Sequence, residues 1–439
     1  MSTLLDAIAL RWPPQDRTRM LVARDRRVAR LVADAYARVP GFRRRMDRAG
    51  LGPEDLRSAD DLRRLPPVGK ADLRADGDDA LVGGARNSRL WVKFTTGSTG
   101  QPLHIVRTAG ERLLGTLVQR RRMRAYPTPF RARMVAISMH GGKTDPDARQ
   151  RRWAAASDLL QGRRINLDCR LPPEELARRI GEARPAIVLG YAGTLAAIGD
   201  HLTRHGPLLH PPRFLLSGAE TLTPLRRRQI TDGFRGPVFD YYGAMEMGII
   251  AWECPQTGLY HLADDHVVLH LVRDGVPVPF EDGACGEAVL TNLHARAMPF
   301  IRYRLADALV AGPTPCPCGA PWATLRRVEG RWIDHFVLPD GYLAHPFGIS
   351  ETFVTSSPFL RQYQMVQEAP DLLRIRVVTD SPPPETWGAE VERRIRKHLG
   401  HPVRVDIERM DALPPAPGGK HKLFESRVPR TGADPDPRG

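Results

Sequence analysis

Two groups of residues in this 439-residue chain have the types and spacing to do chemistry. The run Thr95-Thr96-Gly97-Ser98-Thr99-Gly100-Gln101-Pro102 puts four hydroxyls and several flexible backbone amides into one turn. Glycines let a backbone approach a polyphosphate closely, and N–H groups with hydroxyls replace its water. The run is not a Walker A loop: the Gly-Lys-Ser/Thr ending is missing, and a strand-like run follows instead of a helix. By composition alone it is equally a Ser/Thr/Gly hairpin turn. The second group is Cys254-x6-His261 with Cys316-x-Cys318. Three sulfurs and one imidazole have the number and softness for tetrahedral Zn²⁺, and four protein ligands leave no open position, so the zinc would be structural. The spacing is not that of a standard finger, and a chance grouping of buried cysteines is the alternative. Cys169 and Cys285 stand apart from this set.

The elements that must position these groups follow from hydrophobic period. Residues 17 to 48 carry helical apolar spacing (Leu21, Val28, Leu31, Val32, Ala35, Tyr36, Val39), which predicts a surface helix ending near Pro40-Gly41. RLWVKF at 89 and LHIVR at 103 predict strands on either side of the hydroxyl-rich turn. To about residue 240, helical stretches alternate with short apolar runs: MVAIS at 134, AIVLG at 186, RFLLSG at 213 and VFDYYG at 238. That alternation means a largely parallel sheet covered on both faces. Residues 259 to 310 give closely spaced strands without helical pattern, a smaller β-rich subdomain. Past Gly330-Arg331, RQYQMVQ and LLRIRVV read as a strand pair, ETWGAEVERRIRKHLG as an amphipathic helix and VRVDIERM as a strand.

The net charge is +15, and almost all the cations are arginine. Such a surplus attracts polyanions, from nucleic acid to nucleotides, coenzyme A or an acidic carrier. It also arises where arginine is simply abundant. With no RNP box and no finger with a histidine pair, no nucleic-acid partner is expected. Five cysteines, an odd count, argue against a disulfide framework. Residues 1 to 10 lack the basic cluster and apolar run of a secretory signal, and no segment is apolar enough to span a membrane. The expectation is a cytoplasmic enzyme.

Further motifs follow the hydroxyl-rich loop in order: Ser217-Gly218-Ala219-Glu220, Tyr241-Tyr242-Gly243-Ala244-Met245-Glu246, Arg302-Tyr303-Arg304-Leu305-Ala306-Asp307, Gly330-Arg331-Trp332-Ile333-Asp334 and Gly419-Lys420-His421-Lys422. This series resembles the adenylate-forming enzymes: their phosphate loop, the loop bordering adenine, the YGxTE motif, RYRTxD, the GRxDD hinge and the final lysine motif. The chain's shortness and the Cys-x-Cys-Gly segment before the hinge resemble the phenylacetate–CoA ligase branch. The resemblance implies an α/β fold: a large N-terminal AMP- and acid-binding domain over 1–332 with mixed and parallel sheets and a β-rich subdomain. A small mobile α+β domain over 333–430 and a disordered tail over 431–439 would follow.

The same resemblance implies roles. ATP phosphates would lie on residues 95–100, and Glu246 would hold Mg²⁺ against them, a hard cation on oxygen ligands. Tyr242 would stack on adenine, with Tyr241, Gly243 and residues 217–220 around it. Asp307 would accept from both ribose hydroxyls, since a carboxylate is an acceptor-only partner for a diol. Arg331 would also reach the ribose. Lys420 would bridge carboxylate and α-phosphate, a compact ammonium on a flexible stem, and Asp334 would be the hinge. His140, Gly141, Tyr191 and Ala244, with Ser217, Gly218 and Tyr241, are the acid-pocket candidates, small residues suiting a flat aromatic or short acid. The implied reaction joins a small carboxylic acid to AMP and then to a thiol, coenzyme A by family. A carrier-protein thiol or an amine is the alternative acceptor, a nucleotide-binding relative with little turnover the alternative function, and a homodimer is left open.

Three positions depart from the pattern: Gln101 where lysine is common, Met245 where Thr or Ser touches the α-phosphate, and Leu305-Ala306 for Thr-Gly or Thr-Arg. One charge and one hydroxyl are lost. Slower turnover, a different hold on the phosphates or a reshaped acid pocket would each follow from that.

Overall fold

The computed structural model describes residues 16–84, 90–94, 103–129, 132–139, 164–331, 336–339, 343–344, 349, 353–354, 357–413 and 423–428. Residues 95–100, His140, Gly141, Asp334 and Lys420 lie outside them, as does the Arg331 side chain. The chain divides into two units: one built from described residues up to 129 with 239–328, the other from 132–238 with 329–428.

In chain order the helices are α1 (Arg17–Arg38), α2 (Pro40–Arg48), α3 (Lys70–Asp76), α4 (Ala109–Met123), α5 (Pro173–Ala183), α6 (Ala192–His205), α7 (Pro224–Phe234) and α8 (Trp387–Leu399). The strands begin with β1 (Trp91–Phe94), β2 (His104–Arg107), β3 (Met134–Ser138), β4 (Arg164–Asp168), β5 (Ile187–Gly190), β6 (Phe214–Gly218) and β7 (Val238–Ala244). They continue with β8 (Gly248–Glu253), β9 (Tyr260–Leu262), β10 (Val267–Arg273), β11 (Val276–Val278), β12 (Cys285–Asn292), β13 (Tyr303–Ala311) and β14 (Thr324–Arg331). The last are β15 (Phe336–Val337), β16 (Leu343–Ala344), β17 (Leu360–Ala369), β18 (Leu372–Thr379), β19 (Arg404–Arg409) and β20 (Phe424–Ser426).

In the first unit, the Asp16 side chain caps α1 by accepting from the Thr18 amide. The helix stops at Arg38 because Val39, preceding proline, is extended. Pro40 then opens a second helix at a first-turn position where its missing N–H costs nothing. The expected helix thus ends close to Pro40-Gly41 as its spacing predicts, a second helix that was not predicted follows it, and the apolar stripe is not a surface feature: Val28, Val32 and Met46 are fully buried in a core shared with Val268, Leu293 and Ile301. β1 and β2 pair antiparallel, Trp91 opposite Arg107. The strands of the β-rich region lie in the order β11-β10-β12-β13-β14-β9-β8-β7. The pairs β7–β8, β8–β9, β9–β14, β10–β12 and β12–β13 are antiparallel, as closely spaced strands without helices between them require.

In the second unit, β6-β5-β3-β4 form parallel ladders. Their near-continuous apolar runs mark strands buried on both faces, and α5, α6 and α7 supply Ile180, Ile198 and Ile230 to their core. Helices α6 and α7 cross closely at Gly199 and Gly233: a Cβ on Gly233 would fall 2.0 Å from the Gly199 carbonyl oxygen. A four-stranded sheet, β19-β18-β17-β20, has antiparallel β17–β18 at its centre and parallel flanking pairs. Helix α8 brings Trp387, Val391 and Ile395 into the core of that sheet, and the Trp387 indole donates to Ser357 Oγ at 2.8 Å.

Candidate active site

Strand β7 ends in Tyr241-Tyr242-Gly243-Ala244, and the chain reverses through Met245 to Met247 into β8. The reversal is tight enough that a Cβ on Gly243 would lie 2.7 Å from the Gly248 carbonyl oxygen, so glycine is required there. Tyr242 is buried, and its hydroxyl donates to Asp307 Oδ2 at 2.7 Å. Asp307 stands on β13 directly after Ala306, whose φ of +59° is left-handed, a strained state for a residue with a Cβ. The adenine-stacking and ribose-binding candidates therefore touch each other.

Glu246 is buried in the same turn, and one of its carboxylate oxygens accepts from the Tyr303 hydroxyl at 3.2 Å. Its backbone carbonyl accepts from the Arg107 guanidinium and from Asn292 Nδ2. Arg107 lies over the Phe300 ring, and Phe300 meets Tyr303 edge-on. Tyr303 thus joins the candidate site through Glu246, a contact the motifs do not assign to it; its signal is its place between the two arginines of the RYR segment. Those arginines serve the fold. Arg302 donates to the Leu65 carbonyl and to His270 Nδ1, each at 3.0 Å, and Arg304 grips Glu287. Met245 is exposed. A buried carboxylate beside a turn suits a hard divalent cation shared with phosphate oxygens.

In the second unit, Ser217 and Gly218 close β6, and the buried Ser217 Oγ has no hydrogen-bond partner among the described residues. Ala219 is left-handed, at φ +63°. Glu220 is a brace: its carboxylate accepts from the Gly193 amide at 2.8 Å, in the first turn of α6, and meets Arg226 of α7 at 3.4 Å. A carboxylate at a helix N-terminus is favourably placed. Tyr191 is the residue preceding α6, half-buried, and Arg331 is the last residue of β14.

The four Cys/His candidates come together in the first unit. The ligand atoms of Cys254, His261, Cys316 and Cys318 all lie within 4.8 Å of one another, and Cys318 Sγ is 3.3 Å from His261 Nε2. A tetrahedral ion with Zn–S about 2.3 Å and Zn–N about 2.0 Å sets ligand–ligand edges of roughly 3.3–3.8 Å, so the set fits. Burial pushes His261 down to about 4, leaving the neutral imidazole a metal needs. Burial pushes the Cys318 thiol up to about 11, and a bound cation reverses that preference. Burial also opposes ionisation of Cys254, but hydrogen bonds from Thr257 and from the Gln256 and Thr257 backbone outweigh it and hold this thiol below its usual range. Strand register ties this centre to the turn above: Trp252 pairs with Tyr241 on one side and with His261 on the other.

No protein-family model matches the chain. Its sequence is similar to the phenylacetate-coenzyme A ligase of Thermus thermophilus, 24% identical over 447 residues covering 93% of this chain and 96% of that protein. The phenylacetate-coenzyme A ligase of Escherichia coli is 26% identical over 344 residues, 75% of each chain. Among solved structures, a 2-hydroxyisobutyryl-CoA ligase in the postadenylation state, in complex with R3-HIB-AMP, superposes with a TM-score of 0.76 at 19% identity, covering 92% of this chain and 88% of that one. The anthranilate CoA ligase AuaEII in complex with anthranoyl-AMP gives 0.56 at 16% identity, with 77% and 67% covered. The fold is that of the acyl-adenylate-forming enzymes.

Proposed function

From its kinship with the adenylate-forming enzymes, on their phenylacetate–CoA ligase-like branch, we propose that this chain joins a small carboxylic acid to AMP, releases pyrophosphate, and passes the acyl group to coenzyme A. The observation that carries the reading is the pairing of Tyr242 with Asp307 beside Glu246 and Tyr303. The reaction sets one anion, a carboxylate, against another, the α-phosphate, so catalysis is positioning and charge neutralisation. Asp307 accepts from the ribose diol. Tyr242 keeps Asp307 aimed while its ring offers a face to adenine. Glu246, anchored through its own carbonyl, would hold Mg²⁺, whose charge would shield the phosphates. Residues 95–100 cradle the polyphosphate, and Lys420 brings its ammonium to the α-phosphate.

The small domain over 333–430 turns about Asp334 between the two half-reactions, since one loop cannot serve adenylation and thiol entry at once. Zinc on the Cys/His set is structural. The sequence relatives are named for phenylacetate, and 2-hydroxyisobutyrate and anthranilate appear in the names of fold neighbours, so the candidate acids span aryl and short-chain types. Among the described residues no helix is long and apolar enough to cross a membrane.

The test is pyrophosphate release with ATP and a panel of aryl and short-chain acids, followed by thioester formation on adding coenzyme A. Acid-dependent release with wild type, abolished by Lys420→Ala, is expected. No release with any acid removes the ligase reading.

A further inference from the structure

Arg121 and Arg122 are adjacent, both buried, and differently treated. Arg121 has its counter-charge: its guanidinium grips the two oxygens of Asp265 at 2.7 and 3.0 Å. Arg122 has none. It is 1% exposed, its Nε and Nη1 lack hydrogen-bond partners among the described residues, Nη2 reaches the Met123 sulfur at 3.9 Å, and the neutral Tyr241 hydroxyl also acts on it. Its guanidinium lies 4.1 Å from the centroid of the Tyr241 ring. The acid that acts on it electrostatically, Asp240, is bonded by the Tyr260 hydroxyl at 2.8 Å.

A guanidinium keeps its charge at any physiological pH, and burying it unpaired carries a large desolvation cost. Stacking on one tyrosine returns only part of that. The pair is completed if an anion arrives with a ligand. Tyr241 fixes where that anion sits. It lies three residues before Ala244, about 10 Å along an extended strand, and Glu246 follows in the turn beyond. An adenylating enzyme's reacting carboxylate belongs at the Glu246 end, with the phosphates. Arg122 is at the other end, in aromatic surroundings where Tyr126 stacks on Phe239 at 4.5 Å.

We propose that Arg122 recognises a second acceptor group at the far end of the acid, so that the substrate class is a dicarboxylic acid with a flat or short spacer. A carboxylate matches the planar fork best, through paired N–H···O bonds. This inference rests on the acid-activating reading above.

The experiment uses the full chain and matched acids: benzoate with benzene-1,4-dicarboxylate, and butyrate with glutarate. Pyrophosphate release by wild type should favour the diacid of at least one pair by tenfold or more in kcat/KM. Arg122→Met should bring that ratio to about one, and Arg122→Lys, which keeps a charge without the fork, should fall between. A wild-type preference for both monoacids overturns the proposal, as does an unchanged ratio in Arg122→Met. Equal loss on mono- and diacid also overturns it, because Arg122 would then read the reacting carboxylate. If no acid releases pyrophosphate, the ligase reading has failed. Calorimetry then decides this point separately: the diacid should bind wild type, bind a folded Arg122→Lys protein more weakly and not bind a folded Arg122→Met protein, and equal binding in all three sinks it.

Discussion

The Tyr242 hydroxyl donates to Asp307 at 2.7 Å, so the two motifs that resemble the adenine and ribose contacts are one hydrogen-bonded unit. Removing Asp307 as Asp307→Ala should weaken ATP binding by roughly 1.5–3 kcal/mol, the scale for hydrogen bonds to a charged group. Tyr242→Phe keeps the ring and loses only the tether, for a smaller loss of about 0.5–1.5 kcal/mol. Because the groups are coupled, the double variant should cost less than the sum. Calorimetric titration with ATP checks all three. Unchanged affinity in Asp307→Ala would leave the pair as a strand-end contact.

The Cys/His set should carry zinc. Purified protein is expected to hold about one equivalent, and Cys316→Ser to lose it together with thermal stability, since structural metal binding is coupled to folding. Trp252 meets His261 edge-on with ring centroids 5.9 Å apart, so chelation should also change tryptophan fluorescence. Metal analysis with a melting curve decides the matter. Metal-free protein that melts at the wild-type temperature removes the site.

Two buried histidines set a pH dependence. Burial first, then the charges of Arg302 and Arg63, hold His270 down to about 3; burial holds His266 down to about 4. The unfolded chain takes these protons near the usual 6.5. Between those values the unfolded state binds more protons, so unfolding free energy rises with pH there. The stabilisation is present above about pH 6.5 and is lost as pH falls through the window towards 4, by at most roughly 1.4 kcal/mol per pH unit for each histidine. His270→Gln keeps an acceptor for Arg302 and should flatten the profile. Urea melts at pH 7.5, 6 and 5 measure it, and identical slopes in both proteins would contradict the assignment.

The crossing of α6 and α7 should tolerate no side chain. A Cβ on Gly199 would fall 2.2 Å from the Gln229 carbonyl oxygen, and one on Gly233 2.0 Å from that of Gly199. Either glycine changed to alanine forces the helices apart at a cost of about 1–3 kcal/mol. One separation relieves both clashes, so the double variant should cost less than the sum. Denaturant midpoints test this, and a neutral Gly233→Ala would mean that the backbones shift freely.

Some of this was legible in sequence and some was not, for physical reasons. The runs at 134, 186 and 213 are short, apolar and separated by helical pattern, which leaves parallel strands as the one economical reading; they are β3, β5 and β6. Cys254, His261, Cys316 and Cys318 converge although two parts of the set lie far apart in sequence, because donor chemistry restricts what soft ligands do together. Side-chain pairing carries no such local mark. Nothing adjacent to Arg121 announces Asp265, and nothing adjacent to Arg122 announces that no acid among the described residues pairs with it. The Tyr303–Glu246 bond depends on strand placement, which the spacing of 246 and 303 does not encode. The break at Val39 was visible as Pro40; that proline opens a helix as well as ending one, a choice set by the burial of Phe42 and Met46.

Arg17 of α1 pairs with Asp264 at 2.7 Å, and the two are 247 residues apart. α1 also buries its apolar stripe against Leu293 and Ile301. On a ribosome α1 emerges long before Asp264, Leu293 and Ile301 exist. At about 5–20 residues per second the wait is roughly 12 to 50 seconds. Throughout that interval Val28, Leu31 and Val32 form a greasy ridge on an unfinished nascent chain, exposed to holdases and to other ridges like it. What shelters α1 during translation should therefore bear on the yield of folded protein, alongside the stability of the finished molecule.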